Sequence, residues 1–352
     1  MRQTKVVIVP FFTRNPYQKL LAEPLRNLGV QVEEARDINF SLIMTAMKSK
    51  IDIIHLHWLH PFFIRQGMAK SLGKMIKFIC NLLIIKILGI KIVWTVHNIK
   101  AHDNNNLLLD RFCTTFVANI AHAIIVHCQA AECELVSVLG LKNTDKFFVV
   151  PHGNYIECYE NKISFTEARK TLDIPNSNLV FLFLGEIRPY KGVLELIKIF
   201  KQLNHDAAHL VIAGKAGDNE LTELIKQEAL HYSNIKFIPG FVPDNEIQVY
   251  MNACDAVVFP YQDVLTSGAV LLAMSFSRPC IALNKGCIGE TLDDLGAFLY
   301  NPDIEGDLLR AMSFAMQNHS SLSDMGKYNR QVVEKWNWNY VAEKTLQVYQ
   351  SC

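Results

Sequence analysis

The chain has 352 residues, which is enough for two domains that each bury a core of their own. Half of the residues are hydrophobic and a fifth are charged, a globular composition that excludes a disordered chain. Lysine and arginine number 35 against 34 acidic residues, so the net charge gives no general attraction for nucleic acid.

The first half of the chain alternates short apolar runs with helical patterns. Runs rich in valine and isoleucine between helices indicate strands that are covered on both faces, as in a parallel sheet. We predict strands over 5–10, 30–35, 51–58, 90–97, 123–128 and 147–150. A helix is predicted over 17–28, closed by Gly29.

The most apolar stretch of the chain, 75–90, contains Lys77, Asn81 and Lys86. Because a spanning helix needs about 20 nearly uninterrupted apolar residues, we predict that this stretch does not cross a bilayer. The start of the chain leads straight into a strand pattern without a signal peptide. Nine cysteines without a CxxC pair indicate reduced thiols, so we predict a cytoplasmic protein without a zinc site.

A polar stripe is predicted on the helix that contains this stretch. Its members follow one another at intervals of four, three and four: Lys70, Lys74, Lys77 and Asn81. Such a helix can lie in a membrane interface, with lysines against anionic lipid and with Phe78 and Leu82 as apolar anchors. The alternative is a buried helix of the first domain with one solvated edge.

The second half of the chain repeats the alternation of strands and helices. Strands are predicted over 179–185, 209–214, 235–240, 255–261 and 278–284, with helices over 193–203 and 219–230. Two consecutive α/β halves predict two doubly wound domains, with ligands at the carboxyl ends of the strands. We place the domains at 1–159 and 160–335. The helix predicted in 336–352 either caps the second domain or returns to the first.

The clearest local signal is LGEIRPYKG at 184–192, where a predicted strand ends and a helix begins. Gly185 lets a ligand approach the backbone, and Arg188 and Lys191 bring two cations to a helix N-terminus. This combination suits a diphosphate. The alternative is a pair of solvated surface cations.

A second signal lies at 259–274, where a strand passes through Thr266, Ser267 and Gly268 into an apolar helix. Free backbone N–H groups at that helix start could hold phosphates or sugar hydroxyls. The alternative is an ordinary Ser/Thr N-cap, which contributes about 1 kcal/mol to helix stability.

A third group of residues follows predicted strands of the first domain. We expect them to gather at one edge of the sheet: His57, His60, His97, His102, Asp103 and His152. Metal binding by these histidines is the alternative, but no HExxH or similar spacing supports it.

Together these motifs resemble the GT-B glycosyltransferases, and the G-x-x-R-x-x-K-G signature of the broad retaining group is matched by Gly185, Arg188, Lys191 and Gly192. More narrowly, the chain resembles the β-mannosyltransferases of the xanthan pathway. The shared motifs are NPY (15–17), HLHW (55–58), HN (97–98) with a second histidine at 102, IRPYKG (187–192), PY (260–261) and SG–LLAMS (267–275). The resemblance implies two Rossmann-like domains that face a central cleft, the first binding the acceptor and the second the nucleotide sugar.

Two departures from the broad group accompany this resemblance. Its members usually carry two glutamates eight residues apart, where this chain has Val264 and Leu272, so the donor ribose needs another contact, for which we suggest Glu290. The glycine-rich first loop of many relatives is replaced by PFFTRNPY at 10–17. Both departures fit the narrower subgroup, which resembles inverting enzymes.

The resemblance implies transfer of mannose from GDP-mannose to a lipid-linked oligosaccharide, in exopolysaccharide or other glycan assembly, without a cofactor. Arg188 and Lys191 are expected to neutralise the leaving group in place of a metal ion. We predict Asp103 as the base, with His102 and His97 as alternatives. His57 and His60 are expected on the acceptor side.

The implied partners are a nucleotide sugar, a lipid-linked saccharide and an anionic membrane surface on the cytoplasmic side of the plasma membrane. No nucleic acid is expected. The alternatives are a retaining enzyme that uses a UDP-sugar, a non-catalytic nucleotide-sugar-binding subunit, and a hydrolase or epimerase of the same two-domain design.

Overall fold

A computed structural model of the chain describes residues 3–13, 15–65, 67–99 and 107–352. The chain divides into two units. The first unit comprises Met1–Gly153 together with Trp336–Cys352, and the second comprises Asn154–Lys335. The division at Gly153 lies six residues before the boundary that the polar segment 155–164 suggested.

The first unit contains a sheet of six parallel strands in the order β2-β1-β3-β4-β5-β6. The strands are β1 (Lys5–Val9), β2 (Gln31–Glu34), β3 (Ile53–Leu56), β4 (Lys91–Thr95), β5 (Ala123–Val126) and β6 (Phe147–Val149). Each lies inside a predicted run, and β3 and β5 are buried along their whole length. The predicted parallel sheet is therefore confirmed.

Five helices connect these strands and cover the sheet: α1 (Pro16–Asn27), α2 (Phe40–Ser49), α3 (Met68–Ile87), α4 (Leu107–Ile120) and α5 (Gln129–Leu139). The start of α1 is fixed by Asn15, whose side-chain oxygen accepts a hydrogen bond from the Tyr17 amide at 3.0 Å. Pro16 follows at the first helical position, where a missing N–H costs nothing.

The inner face of α3 corrects two sequence-based expectations. Phe78 and Leu82 are buried in the core, so they are not outward-facing anchors. Asn81 is buried as well, and its Nδ2 donates a hydrogen bond to the Ile38 carbonyl oxygen at 2.7 Å. Asn81 therefore does not belong to an exposed polar stripe. Its amide can lie on the buried face of the helix because a core carbonyl accepts its hydrogen bond.

The outer face of α3 is apolar and is edged by lysines. Ile76 and Ile87 are 53% and 83% exposed, and Leu72, Leu83 and Ile84 are exposed beside them. The helix contains no acidic residue, and Lys70, Lys77 and Lys86 are exposed along it. Within the described part of the chain, no helix combines the length and the apolar character needed to cross a membrane.

The second unit contains another six-stranded parallel sheet, in the order β12-β11-β10-β7-β8-β9. Its strands are β7 (Leu179–Leu184), β8 (Ala208–Gly214), β9 (Ile235–Pro239), β10 (Ala256–Phe259), β11 (Cys280–Leu283) and β12 (Ala297–Tyr300). Five of them were predicted. The sequence analysis missed β12, because its four residues AFLY form a partly exposed edge strand with too short an apolar signal.

The helices of the second unit are α6 (Phe165–Thr171), α7 (Val193–Leu203), α8 (Asn219–Ala229), α9 (Ile247–Ala253), α10 (Gly268–Ser275), α11 (Gly286–Thr291), α12 (Asp307–Gln317) and α13 (Leu322–Glu334). The strongly amphipathic α7 agrees with the predicted range at both ends. Its buried side includes Leu196, Ile197 and Phe200.

A final helix, α14 (Trp338–Ser351), packs on α1 of the first unit. Val341, Ala342 and Val348 lie in the same hydrophobic cluster as Leu21 and Leu25 of α1. This segment thus supplies part of the core of the first unit.

The strand order reverses at one point in each sheet. In the first unit the reversal lies between β1 and β3, and in the second it lies between β7 and β10. Loops leave in opposite directions at such a point and open a crevice at the carboxyl ends of the strands, where doubly wound proteins bind ligands.

Candidate active site

The loop that follows β7 lies at the reversal point of the second unit. Ile187 donates its backbone N–H to the Lys215 carbonyl at 2.8 Å, and Gly217 donates to the Ile187 carbonyl at 3.0 Å. A Cβ at Gly214 would overlap the Gly185 carbonyl oxygen, so this close approach of two strand ends requires glycine.

The other side of this loop is joined to the end of β10. Gly192 has a φ of 66°, and a Cβ there would overlap the Pro260 carbonyl oxygen. Gln262 donates its N–H to the Tyr190 carbonyl at 3.0 Å. The loop that carries the two predicted cations is thus held by backbone contacts from both neighbouring strands.

Arg188 is presented by this loop with its side chain 31% exposed. Its Nη2 lies 2.7 Å from Glu186 Oε1. The guanidinium runs along the Gly217 backbone, since a Cβ on Gly217 would lie 3.1 Å from Nη1. The fork of donors therefore stands at the carboxyl end of β7.

Lys191 lies deeper in the same loop. Burial lowers the pKa of Lys191 to about 8, an effect that the Glu186 carboxylate opposes and Arg188 reinforces. Its Nζ lies 5.7 Å from the centre of the Tyr261 ring. Near neutral pH most of the lysine is protonated, so the loop presents two cations close together.

The second predicted segment reaches the same place through Tyr261. Tyr261 is buried, which raises the pKa of its phenol, and the nearby Ser267 side chain opposes that shift. Ser267 precedes α10 but makes no side-chain capping bond, so the ordinary N-cap interpretation is wrong. Thr266 and Gly268 flank it and are half-buried. Lys191, Tyr261 and Ser267 therefore connect the two predicted donor segments.

Glu290, the suggested ribose contact, lies on α11 with an exposed side chain. The start of α11 is joined to the loop after β10, because Cys287 donates its N–H to the Leu265 carbonyl at 3.0 Å. The segment that carries Glu290 is thus anchored beside the segment that carries Thr266.

The reversal point of the first unit carries histidines in place of cations. His57 Nδ1 and His97 Nε2 share a hydrogen bond of 3.0 Å. Both rings are buried, and burial lowers the pKa of each well below its usual value, with neighbouring histidines adding to the effect. These imidazoles are neutral near pH 7.

Tyr17 at the start of α1 lies in the middle of this histidine cluster. Its ring centre is 4.8 Å from those of His97 and His152, 5.7 Å from that of His127 and 5.8 Å from that of His57. The sequence analysis missed Tyr17 and His127 as neighbours of these residues. The signal that could have revealed them was the NPY motif and a histidine directly after β5.

His55 and Trp58, also missed, complete the cluster. His55 is hydrogen-bonded on both sides, to the Tyr349 hydroxyl and to Thr95 Oγ1, each at 2.7 Å. Trp58 stacks on His97 with ring centres 4.2 Å apart. His55 therefore ties the sheet to α14, while Trp58 fixes the plane of the His97 ring.

His60 contacts a different partner. Its Nε2 lies 3.2 Å from Oδ1 of Asp110, but the two atoms are not aligned for a hydrogen bond. Asp110 is a buried carboxylate in the first turn of α4. The sequence analysis missed Asp110.

Asp103 and His102 lie outside the described residues. Among the residues that are described, no group of three or more His, Cys, Asp or Glu side chains could hold a metal ion.

Comparisons with known proteins relate part of the sequence to a family and the whole chain to a fold. Residues 164–332 match the family of glycosyl transferases group 1. The GDP-mannose:glycolipid 4-beta-D-mannosyltransferase of Xanthomonas campestris pv. campestris is 25% identical over 309 residues, which cover 86% of this chain and 80% of that protein.

Two solved structures superimpose on nearly the whole chain. Sucrose-phosphate synthase from Thermosynechococcus elongatus has a TM-score of 0.77 at 16% identity, covering 99% of this chain and 98% of that one. HepE from Anabaena, crystallised with UDP-glucose, has a TM-score of 0.76 at 15% identity and full coverage of both chains. At these identities the likeness concerns the fold.

The two doubly wound units therefore have the GT-B fold of these solved structures, with the cation-bearing loop in the second unit. The segment that matches the group 1 glycosyl transferases, 164–332, takes up most of the second unit.

Proposed function

We propose that the enzyme transfers mannose from GDP-mannose to a lipid-linked oligosaccharide with inversion at the anomeric carbon. The observation that carries this proposal is the similarity to the Xanthomonas GDP-mannose:glycolipid mannosyltransferase, which spans both units and not only the nucleotide-binding one. The coarser activity, glycosyl transfer, rests on the group 1 domain itself.

In the proposed reaction the diphosphate of the donor binds to Arg188 and Lys191. Both cations stabilise the negative charge that develops on the leaving nucleoside diphosphate. Thr266, Ser267 and Gly268 hold the donor from the start of α10, and Glu290 contacts its ribose. Gly185 keeps the backbone open to the ligand.

The base that takes the proton from the acceptor hydroxyl belongs to the first unit. Burial lowers the pKa of His97, and its Nε2 already shares a hydrogen bond with His57, so we keep Asp103 as the proposed base, with His102 and His97 as the alternatives. His57 and His60 remain our candidates on the acceptor side.

Radiolabelled donors test this function directly. With membranes of the producing cells as the acceptor source, we expect GDP-mannose to label the lipid extract, and UDP-glucose and UDP-N-acetylglucosamine to leave it unlabelled. If only a UDP-sugar labels the lipid extract, the donor is that UDP-sugar and not GDP-mannose. Tight nucleotide binding without transfer from any donor would favour a non-catalytic binding subunit.

We propose further that the enzyme reaches this acceptor as a peripheral protein on an anionic membrane surface on the cytoplasmic side. The support is the outer face of α3, where exposed Ile76, Leu83 and Ile87 are bordered by lysines and no acidic residue intervenes. Apolar side chains can enter the acyl boundary, and each lysine adds about 1 kcal/mol near an anionic surface.

Vesicle sedimentation separates the two contributions. The triple change I76S/L83S/I87S should weaken binding to vesicles rich in anionic lipid even at high salt, since hydrophobic insertion is not screened. The triple change K70E/K74E/K77E should weaken binding mainly at low salt. If both variants sediment like the parent protein, α3 is an ordinary surface helix and the membrane proposal fails.

A further inference from the structure

We propose that the Glu186 carboxylate holds Arg188 in the unliganded enzyme and competes with the diphosphate of the donor for its guanidinium. Glu186 would thereby limit nucleotide affinity and ease the departure of the nucleoside diphosphate. The inference rests on the proposed donor site and adds to it a residue that acts against binding.

The contact itself is a direct ion pair. Glu186 Oε1 lies 2.7 Å from Arg188 Nη2, with the two side chains 57% and 31% exposed. A guanidinium presents a planar fork that suits a carboxylate and a phosphate equally well. The carboxylate therefore uses donor groups of Arg188 that a phosphate oxygen would otherwise take.

The position of Glu186 makes this competition hard to avoid. Glu186 follows Gly185, which leaves the strand end open, and stands two residues before Arg188 on the same loop. That loop is fixed by backbone hydrogen bonds to Lys215 and Gly217. A diphosphate that approaches Arg188 must displace the carboxylate or accept a like charge beside it.

Glu186 also has an opposite effect through Lys191. Its negative charge helps to keep Lys191 protonated, against burial and the charge of Arg188. The Tyr261 ring from the loop after β10 also lies beside this amine. At low pH Lys191 is charged in any case, so the competition of Glu186 for Arg188 is the larger effect. Above about pH 8, the stabilisation of protonated Lys191 by Glu186 becomes more important.

Calorimetry with GDP and the variant Glu186→Gln tests the inference. At about pH 6.5 we expect GDP to bind roughly twofold to fivefold more tightly to the variant, since an exposed ion pair is weak and easily exchanged. The gain should be smaller for GMP and absent for guanosine, and it should shrink near pH 9. Glu186→Ala should behave like Glu186→Gln.

The matched control is Glu223→Gln on α8. Glu223 pairs with Lys226 at 2.6 Å in the same kind of exposed contact, outside the donor loops. Its removal should leave GDP affinity unchanged.

Two results would overturn the inference while leaving the donor site in place. The first is weaker binding of GDP to Glu186→Gln, which would make Glu186 an orienting partner of Arg188. The second is a gain in affinity for guanosine that equals the gain for GDP. A parent protein that binds neither GDP nor UDP would overturn the proposed function as well.

Discussion

The reversal points of the two sheets occupy equivalent places in their units but differ in charge. In the second unit, Arg188 and Lys191 bring two cations to the end of β7, with Glu186 beside them. In the first unit, buried neutral histidines surround Tyr17. A doubly wound sheet therefore fixes where a ligand can bind, while the loop residues decide its chemistry.

The largest expected effect is acid unfolding of the first unit before the second. Burial lowers the pKa of His55 and His152 to about 3 and that of His127 to about 4, below an unfolded value of about 6.5. Between those values the unfolded state binds more protons, so stability is full above pH 6.5 and falls below it. For three such histidines together, the free energy of unfolding should fall by roughly 6 kcal/mol between pH 6.5 and about pH 5.

Tryptophan fluorescence measures this effect selectively, because all four tryptophans belong to the first unit: Trp58, Trp94, Trp336 and Trp338. We expect the fluorescence transition at a higher pH than the loss of the remaining far-ultraviolet circular dichroism. Coincident transitions below about pH 4 would mean that protonation of these imidazoles does not drive unfolding in acid.

The next largest effect concerns nucleotide affinity. Arg188→Ala and Lys191→Ala should each weaken GDP binding by roughly 10- to 100-fold, since charge-assisted contacts contribute about 1.5–3 kcal/mol. Lys226→Ala on α8 removes an exposed lysine outside the site and should bind GDP like the parent. If both folded variants bind GDP with unchanged affinity, the diphosphate does not bind to this loop.

A smaller effect is the pH dependence of that affinity. The pKa of Lys191 is about 8, so the amine loses its charge between pH 7 and 9 and GDP binding should weaken several-fold over that interval. Lys191→Arg keeps its charge throughout and should flatten the profile. A profile that is equally steep in this variant would place the titrating group elsewhere.

The smallest expected effect is that of chelation. Because side-chain cations stabilise the leaving diphosphate in the proposed reaction, transfer should continue in EDTA at the parent rate. Activity that disappears in EDTA and returns with magnesium or manganese would show that Arg188 and Lys191 do not replace a metal.

The strands and the donor loop could be predicted because their signals are local. Continuous valine and isoleucine runs indicated eleven of the twelve strands, and the spacing of Gly185, Arg188 and Lys191 marked one loop. The missed strand β12 has only four residues, of which the middle two are partly exposed, and its apolar run is too short to stand out.

The histidine cluster and the orientation of α3 depend on contacts far apart in the sequence. Tyr349 meets His55 across almost the whole chain, and no local pattern announces that pair. On α3, both amphipathic arrangements fit the same spacing of lysines. The core contacts of Phe78 and Leu82, together with the hydrogen bond from Asn81 to the Ile38 carbonyl, show which face is buried.

The return of α14 to the first unit has a consequence for synthesis. The second unit is inserted between residues 153 and 336 of the first, so it emerges from the ribosome complete while the first still lacks part of its core. The second unit can therefore fold first, and the first must wait for Val341, Val348 and Tyr349. Residues 336–352 thus complete the core of a domain whose six strands are synthesised much earlier.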